Sequence, residues 1–309
     1  MQILLLLVGV LACSVSVIFI KQSGVDAVLL SGLRLAVAAA VLAPVCAIDL
    51  RRHRAKMTWR HAAWPAVPGL VLAAHFITWI IGARLTPAAN STLIVNIVPV
   101  VMPVLLWAFA RERLSRAEAA ATLIVSAGLA VLFAADFRVS GDHFRGDAVC
   151  FGSMLLLAVY LALGRRFRHH PTVWLYLAPL YATAAAACLV VWAVQSGDPA
   201  AAWAAINWRA EWPWVIALGL VPTVIGHSLL NNAMRRLRGQ TVSLLVMTQF
   251  IFAGVIAYAT LGEAPDWTFY PASLAVAAGG VVAALAAKNE PEDDSPGNSA
   301  SSPARLPGD

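Results

Sequence analysis

Residues 86–115, TPAANSTLIVNIVPVVMPVLLWAFARERLS, leave the chain few folds to choose from. Pro87 opens the stretch, in a first turn where a missing N–H costs little. About twenty apolar or small residues follow, the length an α-helix needs to cross roughly 30 Å of hydrocarbon. Arg111, Glu112, Arg113 and Arg116 return the chain to water. Pro99 and Pro103 lie mid-span, where each weakens the backbone ladder and marks a place for a kink. The stretch has an echo at 239–266, GQTVSLLVMTQFIFAGVIAYATLGEAPD, in which Phe250 precedes Glu263 by the interval that separates Pro99 from Glu112. A spanning helix that recurs in the second half indicates an internal repeat, a frequent plan of secondary transporters.

The chain is 60% hydrophobic and 12% charged, whereas a soluble domain lies nearer half apolar and a quarter charged. It therefore reads as a polytopic membrane protein. A net charge of +6 does not point to nucleic acid, because the basic residues sit in short clusters between apolar runs, where they act as topology signals. Cys13, Cys46, Cys150 and Cys188 all fall within apolar runs and form no CxxC pair, which speaks against disulfides and a zinc site. The first twenty residues lack the preceding Lys or Arg of a signal peptide and are read as the first membrane helix.

Apolar runs place ten spans near 2–20, 28–48, 63–83, 88–108, 117–135, 147–164, 172–194, 212–234, 240–261 and 268–287. Alternate loops hold 14 Lys and Arg against 5 in the others, so the positive-inside rule puts both termini in the cytoplasm. Residues 289–309, rich in Pro, Ser, Gly and acids, are expected to be a disordered cytoplasmic tail. The Glu112–Glu263 offset also relates Gly128 to Gly279, and His75 to His227 within one residue. Five helices thus recur with opposite orientation, 1–137 against 138–288. The fold class is an all-α membrane protein of ten transmembrane helices, a 5+5 inverted-topology repeat around a central cavity.

The blocks Pro99…Arg111-Glu112-Arg113-Leu114 and Thr248-Gln249-Phe250…Leu261-Gly262-Glu263 make residues 2–288 resemble an EamA-type transporter of the drug/metabolite transporter superfamily. That family shows small residues, Pro, then LGE in both halves. Here Phe250 replaces the usual Pro, which questions a kink in helix nine, and Ala110-Arg111 replaces Leu-Gly. The resemblance implies transport of a small metabolite, a cavity lined by spans one to four and six to nine, and spans five and ten at the edge, where small residues let helices pack closely.

Polar groups at bilayer depth are costly and tend to face a bundle interior or water. His75, Thr78 and Trp79 share one face of span three; Thr223, His227 and Asn231 share one of span eight; Thr92, Asn96, Pro99 and Pro103 share one of span four. Gln249 lies mid-span in nine and Tyr160 in six. Candidate substrate ligands are therefore His75, Trp79, Asn96, Tyr160, His227, Asn231, Gln249 and Arg34. For each hydroxyl or amide the competing role is an interhelical hydrogen bond, typically worth about 0.6 kcal/mol. Trp79 could stack on a substrate or pack against lipid. Arg34 could meet an anionic substrate or snorkel to the interface. No Asp or Glu lies mid-span, so any proton coupling falls to His. Glu118 reads as a helix-dipole partner. Catalytic motifs such as GxSxG or HExxH are absent, which disfavours an intramembrane enzyme, and no charge ring suggests a channel. The expected function is a permease of the cytoplasmic (inner) membrane moving a small polar metabolite by alternating access, with no cofactor and no metal. Its expected partners are that small-molecule substrate and the lipid bilayer, with a homodimer allowed and no nucleic acid.

Overall fold

The computed structural model describes residues 1–136, 144–265 and 267–289. Among these, nine helices have the length and apolarity to cross a membrane. They are Gln2–Gln22 (span 1), Ala27–Lys56 (span 2), Trp59–Leu85 (span 3), Ala88–Ala110 (span 4), Phe144–Arg166 (span 6), Val173–Gln195 (span 7), Trp208–Arg236 (span 8), Gly239–Leu261 (span 9) and Phe269–Lys288 (span 10). The helix Arg116–Asp136 is span 5. The division at 137/138 and residues 290–309 of the expected tail lie outside the described residues.

Local chemistry starts several spans where they start. Asp26 accepts hydrogen bonds from the Val28 and Leu29 amides at 2.9 and 3.0 Å, capping span 2. Thr172 caps span 7 through the Leu175 amide at 3.2 Å. The end of span 4 meets the start of span 9 and the end of span 9 meets the start of span 4, so the two run opposite ways, as an inverted repeat requires.

The bundle exposes apolar side chains and buries a set of polar ones within an apolar core. Val104, Leu123, Val194 and Leu274 are exposed, while Arg34, His75, Asn96, Thr223 and Gln240 are buried. That distribution suits a lipid solvent, which welcomes leucine and penalises an unpaired polar group. Spans 5 and 10 pack on each other through their matched glycines. A Cβ on Gly128 would run into Ala275, and one on Gly279 into Val125 and the Ala121 carbonyl. Only a missing side chain lets the two backbones come this close.

Candidate functional site

Spans 4 and 9 are both broken in mid-span. Span 4 consists of helices Ala88–Val95 and Val98–Ala110. Pro99 has no N–H to give and disfavours helical geometry in the residue before it. The ladder tightens there to three-residue steps, from the Asn96 amide to the Leu93 carbonyl and from Ile97 to Ile94. The Asn96 amide side chain then takes the Thr92 carbonyl at 2.8 Å. Span 9 breaks at the equivalent place, between Gly239–Val246 and Gln249–Leu261. It does so without proline, which answers the doubt that Phe250 raised. The Thr248 hydroxyl donates to the Leu245 carbonyl at 2.6 Å, and the Thr248, Phe250 and Ile251 amides bond three residues back. A hydroxyl competing for a helix carbonyl does here what proline does in span 4. Phe250 itself is buried against Phe269, ring centroids 5.5 Å apart.

Span 8 is irregular for a related reason. Pro222 cannot donate to the Leu218 carbonyl, and residues Gly219–His227 widen into a π-helix. The Thr223 hydroxyl takes that carbonyl instead, at 2.7 Å. The widened turn carries His227 to the bundle interior.

Between these irregular segments lies a cavity of about 30 Å³, room for roughly one or two waters. His75 and Trp79 of span 3, Asn96 of span 4, His227 of span 8 and Gln249 of span 9 line it, together with Cys13, Ser16, Phe76, Leu157 and Pro222. Both histidines therefore reach one space. Phe76 sits between them, 5.1 Å from each imidazole by ring centroids. Spans 2 and 7 contribute no lining residue and stand one layer back. His75 Nδ1 lies 3.0 Å from the Ser153 carbonyl and 2.9 Å from its hydroxyl. A carbonyl only accepts, so Nδ1 carries the proton and Nε2 keeps its lone pair. His227 Nδ1 and Asn96 Oδ1 are buried with no hydrogen-bond partner.

The remaining three candidates lie off the cavity wall. Asn231 turns away and donates to the Tyr160 hydroxyl at 2.6 Å and the His227 carbonyl at 2.7 Å. That pair ties span 6 to span 8 behind His227. Arg34 does not snorkel: it is 0% exposed, with its guanidinium 3.9 Å above the Phe76 ring. Its Nε and NH2 donate to Thr223 Oγ1 at 3.1 and 2.9 Å, and its NH1 faces Ser16 Oγ at 3.5 Å.

Two matched clasps close the ends of the broken spans. At the end of span 4, Glu112 accepts from Arg165 Nε of span 6 at 2.7 Å and from the Gly239 amide that opens span 9 at 2.8 Å. At the end of span 9, Glu263 pairs with Lys21 of span 1 at 2.9 Å and accepts from the Ala88 amide that opens span 4 at 2.7 Å. Each carboxylate so caps the other span's first turn, where exposed N–H groups and the helix dipole favour negative charge. The residue before each Glu, Arg111 and Gly262, is left-handed, with φ of 56° and 69°. Glu118 is more than a dipole partner: it is 1% exposed, pairs with Arg238 at 2.8 Å and accepts from Thr241 at 3.1 Å. Arg238 also donates to the Arg113 carbonyl. Sequence reasoning counted Arg165 and Arg238 only as topology charges and put Thr223 on the His227 face without a partner, because nothing local marks the residues they bond.

The EamA-like transporter family matches residues 1–134 and 144–285, one match for each half. A solved crystal structure of a protein, 22% identical, superposes with a TM-score of 0.71 over 94% of this chain and 99% of its own. No curated protein matches the chain. Matched through both five-span halves, the chain belongs to the EamA-like transporter family.

Proposed function

We propose that this chain is a secondary carrier of the cytoplasmic membrane that moves a small polar metabolite, unchanged, by alternating access around the cavity between His75 and His227. The observation that carries the reading is the cavity's position. It lies at the breaks of two antiparallel spans, each clasped to the other at both ends. A space of about 30 Å³ holds no metabolite, so loading requires one clasp to open while the other holds. His75, Trp79, Asn96, His227 and Gln249 would contact the substrate, with Tyr160, Asn231 and Arg34 behind them. Neutral imidazole both donates and accepts, which suits a polar ligand. The Lys and Arg count supports cytoplasmic termini.

The test is counterflow in proteoliposomes, with the recovered substrate checked for chemical change. Saturable exchange of intact substrate that is lost in monodisperse His75→Ala and His227→Ala variants supports the proposal. Non-saturating flux, a converted substrate, or normal exchange in both variants overturns it. A cytoplasmic reporter fused after Lys288 should be active, and one in the 196–204 segment silent. The reverse pattern would remove the orientation.

A further inference from the structure

We propose that the transported molecule is a monoanion, a small carboxylate with an apolar body, and that Arg34 is the group that receives its charge. This rests on the carrier reading and specifies its substrate class. Arg34 is fully buried in span 2, within the membrane-spanning part of the chain. Among the described residues no carboxylate pairs with it: its hydrogen-bond partners are the hydroxyls of Thr223 and Ser16. A buried charge without a counter-charge is among the most expensive groups a protein can keep, and at membrane depth it marks a functional site. A helix staple alone would be served by a neutral amide at far lower cost.

One edge of the guanidinium is only weakly engaged, though Arg34 itself stands behind the cavity wall. The Thr223 hydroxyl proton is committed to the Leu218 carbonyl, so its oxygen presents only lone pairs to Arg34. Nε and NH2, the side edge, take that oxygen. Phe76 covers one face of the guanidinium. The end edge, NH1 with the second N–H of NH2, has only Ser16 Oγ at 3.5 Å, and Ser16 lines the cavity. A two-donor edge of this kind matches a carboxylate bidentately. The second observation comes from the cavity lining, where buried His227 Nδ1, on the far end of the same Phe76 contact, lacks a partner.

Charge counting narrows the class. Among the described residues one cation, Arg34, backs the cavity and no Asp or Glu lines it, so a single negative charge is balanced, a dianion is not, and an ammonium group finds no acid. Phe76, Trp79 and Leu157 offer the rest of the molecule apolar contact.

The test uses purified full-length protein and two matched sets: 3-phenylpropionate, its primary amide and phenylalanine; and 4-methylvalerate, its primary amide and leucine. Thermal stabilisation is read first, then counterflow of the stabilising compounds. Carboxylates should stabilise at concentrations at least ~10-fold below those needed for the amides or amino acids. Arg34→Lys should weaken the carboxylate response while keeping the preference, and folded Arg34→Gln should lose the preference. If Arg34→Gln does not fold, the wild-type comparison and Arg34→Lys decide. Equal responses to carboxylate and amide, no response to either carboxylate, or an undiminished preference in folded Arg34→Gln overturns the inference. Counterflow of a neutral compound without carboxylate binding sinks the anion and spares the carrier. Carboxylate binding without counterflow sinks the carrier and spares the anion site.

Discussion

The two clasps match in sequence register and differ in energy, which makes them a sharp test. Glu112 and Glu263 each use both oxygens, one on a cation and one on the first amide of the partner span. The side chains of Glu112 and Arg165 are 10% and 4% exposed, those of Glu263 and Lys21 30% and 19%. Gln keeps the shape and removes the charge. At position 112 its NH₂ must face either the Arg165 N–H or the Gly239 N–H, donor against donor, and the buried Arg165 loses the Glu112 carboxylate. Breaking such a pair costs about 3–5 kcal/mol. We take about 3, because the site lies at a span end. At position 263 water screens the pair, worth at most about 1 kcal/mol, and the cap retains an oxygen. A cost of about 1 kcal/mol follows. At about 2–4 °C per kcal/mol, Glu112→Gln should lower Tm by roughly 6–12 °C and Glu263→Gln by roughly 2–4 °C. Melts of the purified variants measure this, and a double-mutant cycle with Arg165→Gln isolates the pair. The combined variant should be less damaged than the sum of the two. Equal losses at 112 and 263, or strict additivity with Arg165→Gln, would refute the reasoning.

Arg111 holds a left-handed conformation that its counterpart Gly262 adopts without Cβ strain. Arg111→Gly should raise stability by about 0.5–1 kcal/mol, and Gly262→Ala should lower it by about 1 kcal/mol; a fall in Tm for Arg111→Gly contradicts this. His170, in the turn between spans 6 and 7, lies 4% exposed with Nε2 3.0 Å from the His61 carbonyl. Burial holds its imidazole below the ordinary range, with His61 and Arg235 adding to the effect against the pull of the His61 and Thr172 carbonyls. The folded chain therefore resists a proton that the unfolded chain accepts near pH 6.5. Its stability is complete above about pH 6.5 and is lost as pH falls from there toward the lower folded value. Tm measured from pH 7.5 to 5 should drop, and His170→Asn should flatten part of that drop; an identical slope in the variant counts against it.

The ten spans and their inverted register were legible in the sequence because each depends on local quantities. A run of apolar residues long enough for the bilayer is visible without neighbours. The shared offset of Glu112 to Glu263 and Gly128 to Gly279 survives because equivalent positions do equivalent work in both halves. The histidine pair was legible for the same reason, and both line the cavity. What tertiary structure alone decided is which way long polar side chains turn. Asn231 shares a helical face with His227 yet bonds Tyr160, 71 residues away, off the cavity wall. Phe250 obscured the break in span 9, which Thr248 makes by a hydroxyl contact that no proline announces. Arg34 had two open fates, meeting an anionic substrate or snorkelling, because nothing in span 2 marks its partner. Thr223 lies 189 residues on, and its lone pairs face Arg34 only because Pro222 frees the Leu218 carbonyl for its proton. Helix formation is settled within a few residues; the partner of a buried charge is settled by whichever distant backbone the bundle brings to it.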